Sequence, residues 1–237
     1  MMLYLVGFLV LLFACSFLLG SIPWGVIISR VFYHTDVRDH GSGNIGTTNA
    51  MRTMGKVGGS AVFLLDFGKG VVAGFIAVVF AVSLITDVSA IQALYEFVGA
   101  PEILDAHLVL LQVCITVAFL GCIWGHIFSP WLGFHGGKGI AVAVGCLFST
   151  FGVIGALLEL LVFIVFVAAT KYVSAGSLAA AVLCPFMALY IFWGNAPAIV
   201  LCCVAALTVI WAHRENIVRL KNGNENRIGS KKASGEA

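Results

Sequence analysis

The chain alternates long apolar runs with short polar stretches. A helix that crosses a bilayer needs about 20 mostly apolar residues. Seven runs of that kind can be drawn, over approximately 2–29, 60–85, 108–128, 139–151, 153–170, 172–193 and 197–212. The fourth is short, and its boundary with the fifth, near 149–152, is the least defined. The pattern predicts an all-α polytopic integral membrane protein with seven transmembrane helices. It forms one membrane-embedded domain over 1–237, whose last stretch, about 222–237, is expected to be a polar, flexible tail.

Composition adds that no soluble fold of this size could hide the apolar surface. Of 237 residues, 61% are hydrophobic and 10% charged, against about 25% charged in soluble domains. The first run lacks the basic leader and short core of a cleaved signal peptide and is followed by Arg30, so it reads as a retained helix. The formal net charge of +2 says nothing about nucleic acid, and no such partner is expected; the placement of the charges is what matters. Arg30, Arg38, Arg52, Lys56, Lys138, Lys171, Arg214, Arg219, Lys221, Arg227, Lys231 and Lys232 fall in alternate loops or in the tail. The stretch 86–107 carries Asp87, Glu96, Glu102 and Asp105 with no Lys or Arg. The positive-inside rule then puts the amino terminus outside and the carboxyl terminus in the cytoplasm, which requires an odd number of spans. All seven cysteines sit in apolar segments and none forms a C-x-x-C pair, so free thiols are expected and neither a disulfide framework nor a metal site.

The remaining polar sequence is concentrated in three pieces that this topology brings to one face. The first is Gly41-Ser-Gly-Asn-Ile-Gly-Thr-Thr-Asn49 with Arg52. Gly41, Gly43 and Gly46 allow positive φ and N–H groups turned inward on an anion. Ser42, Asn44, Thr47, Thr48 and Asn49 add polar groups, and Arg52 can grip a phosphate bidentately. A G-x-G-x-x-G pattern is present but follows a membrane helix rather than a strand, which rules out the dinucleotide reading; the bland alternative is a flexible Gly/Ser turn. The second piece is Gly136-Gly-Lys-Gly139, opening into an apolar run. Glycines at a helix amino terminus offer free N–H groups and a positive dipole end, with Lys138 as a mobile charge. The spacing is not that of a P-loop, and a positive-inside turn is the plainer alternative. The third piece is His213-Arg-Glu-Asn-Ile-Val-Arg219. If the last helix runs on, His213, Asn216 and Leu220 share a face; otherwise the segment is a basic anchor against anionic lipid.

Ionisable groups inside a span cost several kcal/mol unless they are paired or face a cavity. Asp66 and Lys69 can neutralise each other across one turn and scaffold the site. Glu159 has no sequence-adjacent partner, and a reach to the outer surface near the short fourth run is the one role open to it. His34, His40, His126 and His135 lie near the cytoplasmic rim, mostly as interfacial residues.

The ordered set Gly20-Ser-Ile-Pro-Trp-Gly25, Gly41–Asn49 with Arg52, Asp66-Phe-Gly-Lys-Gly70, Gly125-His126, Gly136–Gly139, Tyr172-Val-Ser174 and His213-Arg-Glu-Asn216 resembles the bacterial acyl-phosphate:glycerol-3-phosphate acyltransferases, from about Gly20 to Gly229. The resemblance implies a seven-helix enzyme of the bacterial inner membrane with its active site facing the cytoplasm. It would take acyl phosphate and glycerol 3-phosphate and release 1-acyl-glycerol 3-phosphate and inorganic phosphate, without a cofactor. It implies activity dependent on Ser42 and Arg52, phosphate held by Gly136–Gly139 with Lys138, and roles for Ser174, His213 and Asn216. Two departures stand out: Thr47 replaces the alanine of the family's G-A-T-N, and Gly223-Asn-Glu225 keeps the acid of its G-T-E but not the threonine. The acyl donor is already activated, so no acyl-enzyme or Ser-His-Asp triad is needed. The competing class is a transporter for an organic phosphate. No inverted repeat is visible, and the polar groups lie at helix ends rather than at midplane.

Overall fold

A computed structural model describes residues 2–85, 91–92, 96, 98–99 and 105–228. Its described elements are helical throughout: α1 (Met2–Ser21), α2 (Trp24–Tyr33), α3 (Thr47–Ile85), α4 (Ala106–Ile127), α5 (Ile140–Thr150), α6 (Gly152–Thr170), α7 (Val173–Ile191), α8 (Ala196–Ala212) and α9 (Arg214–Lys221). Among the described residues five helices are long and apolar enough to cross a membrane, or six if α8 and α9, bent by 54°, form one broken span. The chain is an integral membrane protein. The drawn run 139–151 corresponds to α5, whose 11 residues extend about 16 Å. The acidic stretch 86–107 falls largely outside the described residues.

The first drawn run, 2–29, is two helices rather than one. Pro23 has no N–H to continue the ladder and sits between α1 and α2, leaving carbonyls at the end of α1 without intrahelical partners. Side chains from distant elements take them: Lys69 Nζ donates to the Ile22 carbonyl at 3.0 Å, and Ser129 Oγ to that of Ser21 at 2.7 Å. Helix α3 starts well before the drawn run and is interrupted at Gly55 (φ 73°, ψ −173°), which sets off a short first arm from the long spanning part.

Helix α4 is the centre of the bundle, buried on most faces and packed against α1, α3, α5 and α8. Helices α5, α6, α7 and α8 continue from it in sequence as neighbours, so that α4 to α8 close into a ring. Lipid is as apolar as leucine and gives little drive for helix association, so close backbone approach at small residues carries the packing. At the α3–α5 crossing, Gly145 lies against the Phe67 carbonyl and Gly70 against that of Val142, and a Cβ on either glycine would strike backbone. Glu159 does not reach an outer surface; it is 2% exposed inside the bundle.

Overpacking of this kind typically costs about 1–3 kcal/mol and can exceed that where backbone must move. Gly145→Val is therefore expected to lower the thermal unfolding temperature of the detergent-purified protein and to reduce activity with it. An unchanged melting curve would show that α3 and α5 can separate freely.

Candidate active site

One end of the bundle holds a cavity of about 360 Å³. Three sequence pieces converge there. The first contributes Ser42, Asn44, Gly46, Thr47, Thr48, Asn49 and Arg52; the second Lys138 and Gly139; the third His213, Asn216 and Arg219. Ser174, at the start of α7, completes the polar wall, while Phe63, Leu160, Phe163 and Ile164 make the deeper wall apolar.

The glycine-rich loop does not form the expected nest of inward N–H groups. Asn49, 2% exposed, holds it from below: its Nδ2 donates to the carbonyls of Val37 (2.9 Å), His40 (3.0 Å) and Asn44 (2.9 Å), and its Oδ1 accepts from Ser42 N (2.8 Å). Gly43 N donates to the His40 carbonyl and Gly46 N to Asn44 Oδ1. Gly41 and Gly43 do not line the cavity; Gly41 gives positive φ (61°) and leaves room for the Asn49 amide, which a Cβ would strike. The loop is a clamp that fixes Ser42, Thr47, Thr48 and Arg52.

Gly136 and Gly137 also lie off the cavity, because their N–H groups bond to the Ile127 carbonyl (2.9 Å) and the His126 carbonyl (3.0 Å). Gly137 has the His126 ring where a side chain would be. The backbone of this piece that faces the cavity is instead the stretch just beyond Lys138. Gly139, Ile140 and Ala141 line the cavity at the start of α5, which has no side-chain cap. The first N–H groups of a helix have no intrahelical partner, so the positive end of α5 opens onto the site.

Beneath the loop lies a buried ion cluster. Lys69 pairs with Asp66 Oδ1 at 2.7 Å and donates to His126 Nδ1 at 3.0 Å and to the Ile22 carbonyl. Asp66 and His126 line the cavity floor, so His126 is a buried scaffold residue while His34, His40 and His135 are exposed.

The last segment bends by 54° at His213 instead of running straight. The bend keeps His213 and Asn216 in the cavity and brings in Arg219 rather than Leu220. Val209's carbonyl accepts from His213 Nδ1 at 2.8 Å, and a carbonyl can only accept, so Nδ1 carries the hydrogen and Nε2 has the free lone pair. Residues 222–228 are packed against the bundle, and the remainder of the expected tail, 229–237, lies outside the described residues. Glu225 accepts from Asn216 Nδ2 (2.8 Å) and Arg219 Nε (2.9 Å), Arg227 Nε donates to Tyr172 Oη (2.9 Å), and Ile228 N donates to the Lys171 carbonyl (2.9 Å). Glu225 and Asn226 thereby become part of the cavity wall.

Three buried oxygens on this wall, Thr47 Oγ1, Ser174 Oγ and Asn216 Oδ1, have no protein partner among the described residues. Buried polar atoms are rarely left so, which points to a polar ligand. Charge gives its sign: burial first, then neighbouring Arg219 and Arg52, lower the Lys138 pKa to about 8, with Glu225 and Glu215 opposing. A partly buried ammonium beside two guanidinium groups favours an anion.

The family model described as Glycerol-3-phosphate acyltransferase matches residues 10–223. The chain belongs to that family. It is 38% identical over 214 residues to the glycerol-3-phosphate acyltransferase of Pelagibacter ubique (strain HTCC1062), covering 89% of this chain and 92% of that one. To the enzyme of Clostridioides difficile (strain 630) it is 35% identical over 217 residues, covering 92% and 94%. In three dimensions it is similar to the crystal structure of PlsY (YgiH), an integral membrane glycerol 3-phosphate acyltransferase. The glycerol 3-phosphate form aligns with a TM-score of 0.72 at 31% identity, over 93% of this chain and 96% of that one. The lysophosphatidic acid form aligns at 0.69 and 30%, over 93% and 95%.

A lysine is charged below its pKa, so the Lys138 charge is lost as pH rises through about 8. The kcat/KM for a phosphate-bearing substrate, which reports the free enzyme, is therefore expected to fall above pH about 8. Lys138→Arg keeps its charge and should move that fall to higher pH; identical alkaline limbs would assign the titration to another group.

Proposed function

We propose that the chain transfers an acyl group from acyl phosphate to the 1-hydroxyl of glycerol 3-phosphate, giving 1-acyl-glycerol 3-phosphate and inorganic phosphate, the first acylation of phospholipid synthesis. The observation that carries this reading is one cavity with two chemistries. A rim of Arg52, Lys138, Arg219 and unpartnered oxygens suits phosphate, and an apolar depth walled by Phe63, Leu160, Phe163 and Ile164 suits a hydrocarbon chain. Phe63 and Ile164 are also exposed, which suits sideways entry of the chain from lipid.

The hydroxyl oxygen attacks the acyl carbon, the bond from that carbon to the phosphate oxygen breaks, and phosphate leaves with the bonding pair. The Nε2 of His213 takes the hydroxyl proton. Arg52, Lys138, Ser42 and the open end of α5 hold the leaving phosphate, while Ser174, Asn216 and Arg219 hold glycerol 3-phosphate. Orientation of two held reactants removes much of the barrier, and the cations stabilise the charge that develops as phosphate departs.

The site collects alternate ends of successive helices: the start of α3, the end of α4, the starts of α5 and α7, and the end of α8. Counting α5 as a shortened span gives seven crossings. The site end carries Lys171, Arg214 and Lys221 besides the catalytic cations, while Asp105 caps the opposite end of α4. That asymmetry supports a cytoplasmic site and carboxyl terminus in a bacterial inner membrane, with the amino terminus outside.

Detergent-purified protein given palmitoyl phosphate and glycerol 3-phosphate is expected to release inorganic phosphate and lysophosphatidic acid with no membrane gradient. Palmitoyl-CoA and palmitoyl-acyl carrier protein are expected to be refused, and equal turnover with either would overturn the choice of donor. Arg52→Ala should lower kcat by about 100–1,000-fold, as removal of a transition-state donor does elsewhere. Near-normal turnover in His213→Ala would pass the proton to a substrate phosphate instead.

A further inference from the structure

Below the polar rim, α4 to α8 enclose a second, smaller cavity of about 50 Å³ with almost entirely apolar walls. It adjoins the active site, since Ile140, Val144, Leu160, Phe163 and Ser177 line both. One acidic side chain interrupts this wall. Glu159 is 2% exposed, and its Oε1 has no partner among the described residues. A carboxyl so placed in a membrane bundle is costly, and the scaffold of the site makes no use of it.

Its depth is informative. Glu159 stands eleven residues from Thr170, the site end of α6, and Cys184 eleven residues from Val173, the site end of α7. At 1.5 Å per residue both lie about 16 Å along their helices from the site end. That is about half of the roughly 30 Å hydrocarbon core, the reach of one leaflet. A chain that reaches from the rim to the level of Glu159 thus has the length of an ordinary membrane acyl chain.

We infer that Glu159 closes the deep end of the acyl pocket and is the specificity-determining residue that sets the length of chain transferred. A longer chain would press methylenes against an unpaired carboxyl or displace it. A shorter one leaves the end of the pocket without contacts on one side. The walls facing Glu159 are made of small residues, Ala180 and Ala181 of α7 and Ala205 and Ala206 of α8, so the glutamate side chain supplies the bulk there. The inference needs only that an acyl chain is transferred, whichever group carries it in.

The test measures kcat/KM for glycerol 3-phosphate acylation with myristoyl, palmitoyl, stearoyl and arachidoyl phosphates on the purified full-length chain. Glu159→Ala should raise the ratio of stearoyl to palmitoyl turnover by about tenfold, within the range that one or two methylenes command in a fitted pocket. Ala181→Leu, which fills the pocket from the opposite wall, should move the optimum the other way. Glu159→Gln, equal in volume, should keep the wild-type profile. An unchanged profile in folded Glu159→Ala overturns the inference, and should that variant not fold, an unchanged profile in Ala181→Leu does so. If the donor assignment fails instead, wild type will be silent with every acyl phosphate but active with acyl-CoA, and the same series run as acyl-CoAs reads the pocket. Thermal stabilisation by lysophosphatidic acids of the same lengths gives a readout independent of turnover: a length optimum that fails to shift in Glu159→Ala counts against the pocket.

Discussion

The ammonium of Lys69 holds the site end of the bundle together. It is 4% exposed among apolar helices and is met by the Asp66 carboxylate one turn away on its own helix and by two groups from elsewhere in the chain, the Ile22 carbonyl freed by the break before Pro23 and His126 Nδ1 on α4. The ammonium thus has two hydrogen-bond acceptors and one carboxylate at ion-pair distance. The cost of burying the charge is offset only while α1, α3 and α4 keep this arrangement. The arrangement extends upward: His126, fixed by Lys69, presents its carbonyl to Gly137 N and its ring to the Gly137 backbone, and so sets where the next residue, Lys138, enters the cavity. A structural charge below thus sets the position of the Lys138 charge above.

The same economy explains why much of the site was legible and part was not. The three polar pieces stood out because a chain with so few polar residues has little reason to cluster them except around a ligand, and the cavity does gather Ser42, Arg52, Lys138, Ser174, His213 and Asn216. What spacing did not reveal was which polar atoms remain free. Asn49 looks like a donor to substrate in sequence, yet its amide is consumed by Val37, His40, Asn44 and Ser42. Gly136 and Gly137 look like anion-binding backbone, yet α4 takes their N–H groups. Hydrogen bonds of this kind join residues far apart in the chain and leave no local periodicity.

The carboxyl-terminal stretch shows the converse. Its polar composition reads as a tail, but Glu225 reaches back to Asn216 and Arg219, and Ile228 to the turn between α6 and α7. The break at Pro23, hidden within an apolar run, is a place where backbone carbonyls are released from the ladder and taken by Lys69 and Ser129. Hydropathy registers apolar length and is blind to such breaks, whereas the seven apolar runs themselves were plain because lipid forces every spanning backbone to be helical.

The placement of the cations also bears on how the proposed reaction would be driven. Burial of the Lys138 ammonium lowers its pKa to about 8, and repulsion from Arg219 and Arg52 adds to that. Part of that repulsion is relieved when phosphate binds, so affinity is gained from a state the fold maintains at some cost to itself. An acyl phosphate carries less charge on its bridging oxygen than the phosphate it becomes, and that charge grows as the bond breaks. A cluster already short of anion therefore attracts the transition state more strongly than the ground state, and this difference, rather than tight binding of substrate, is what accelerates the chemical step.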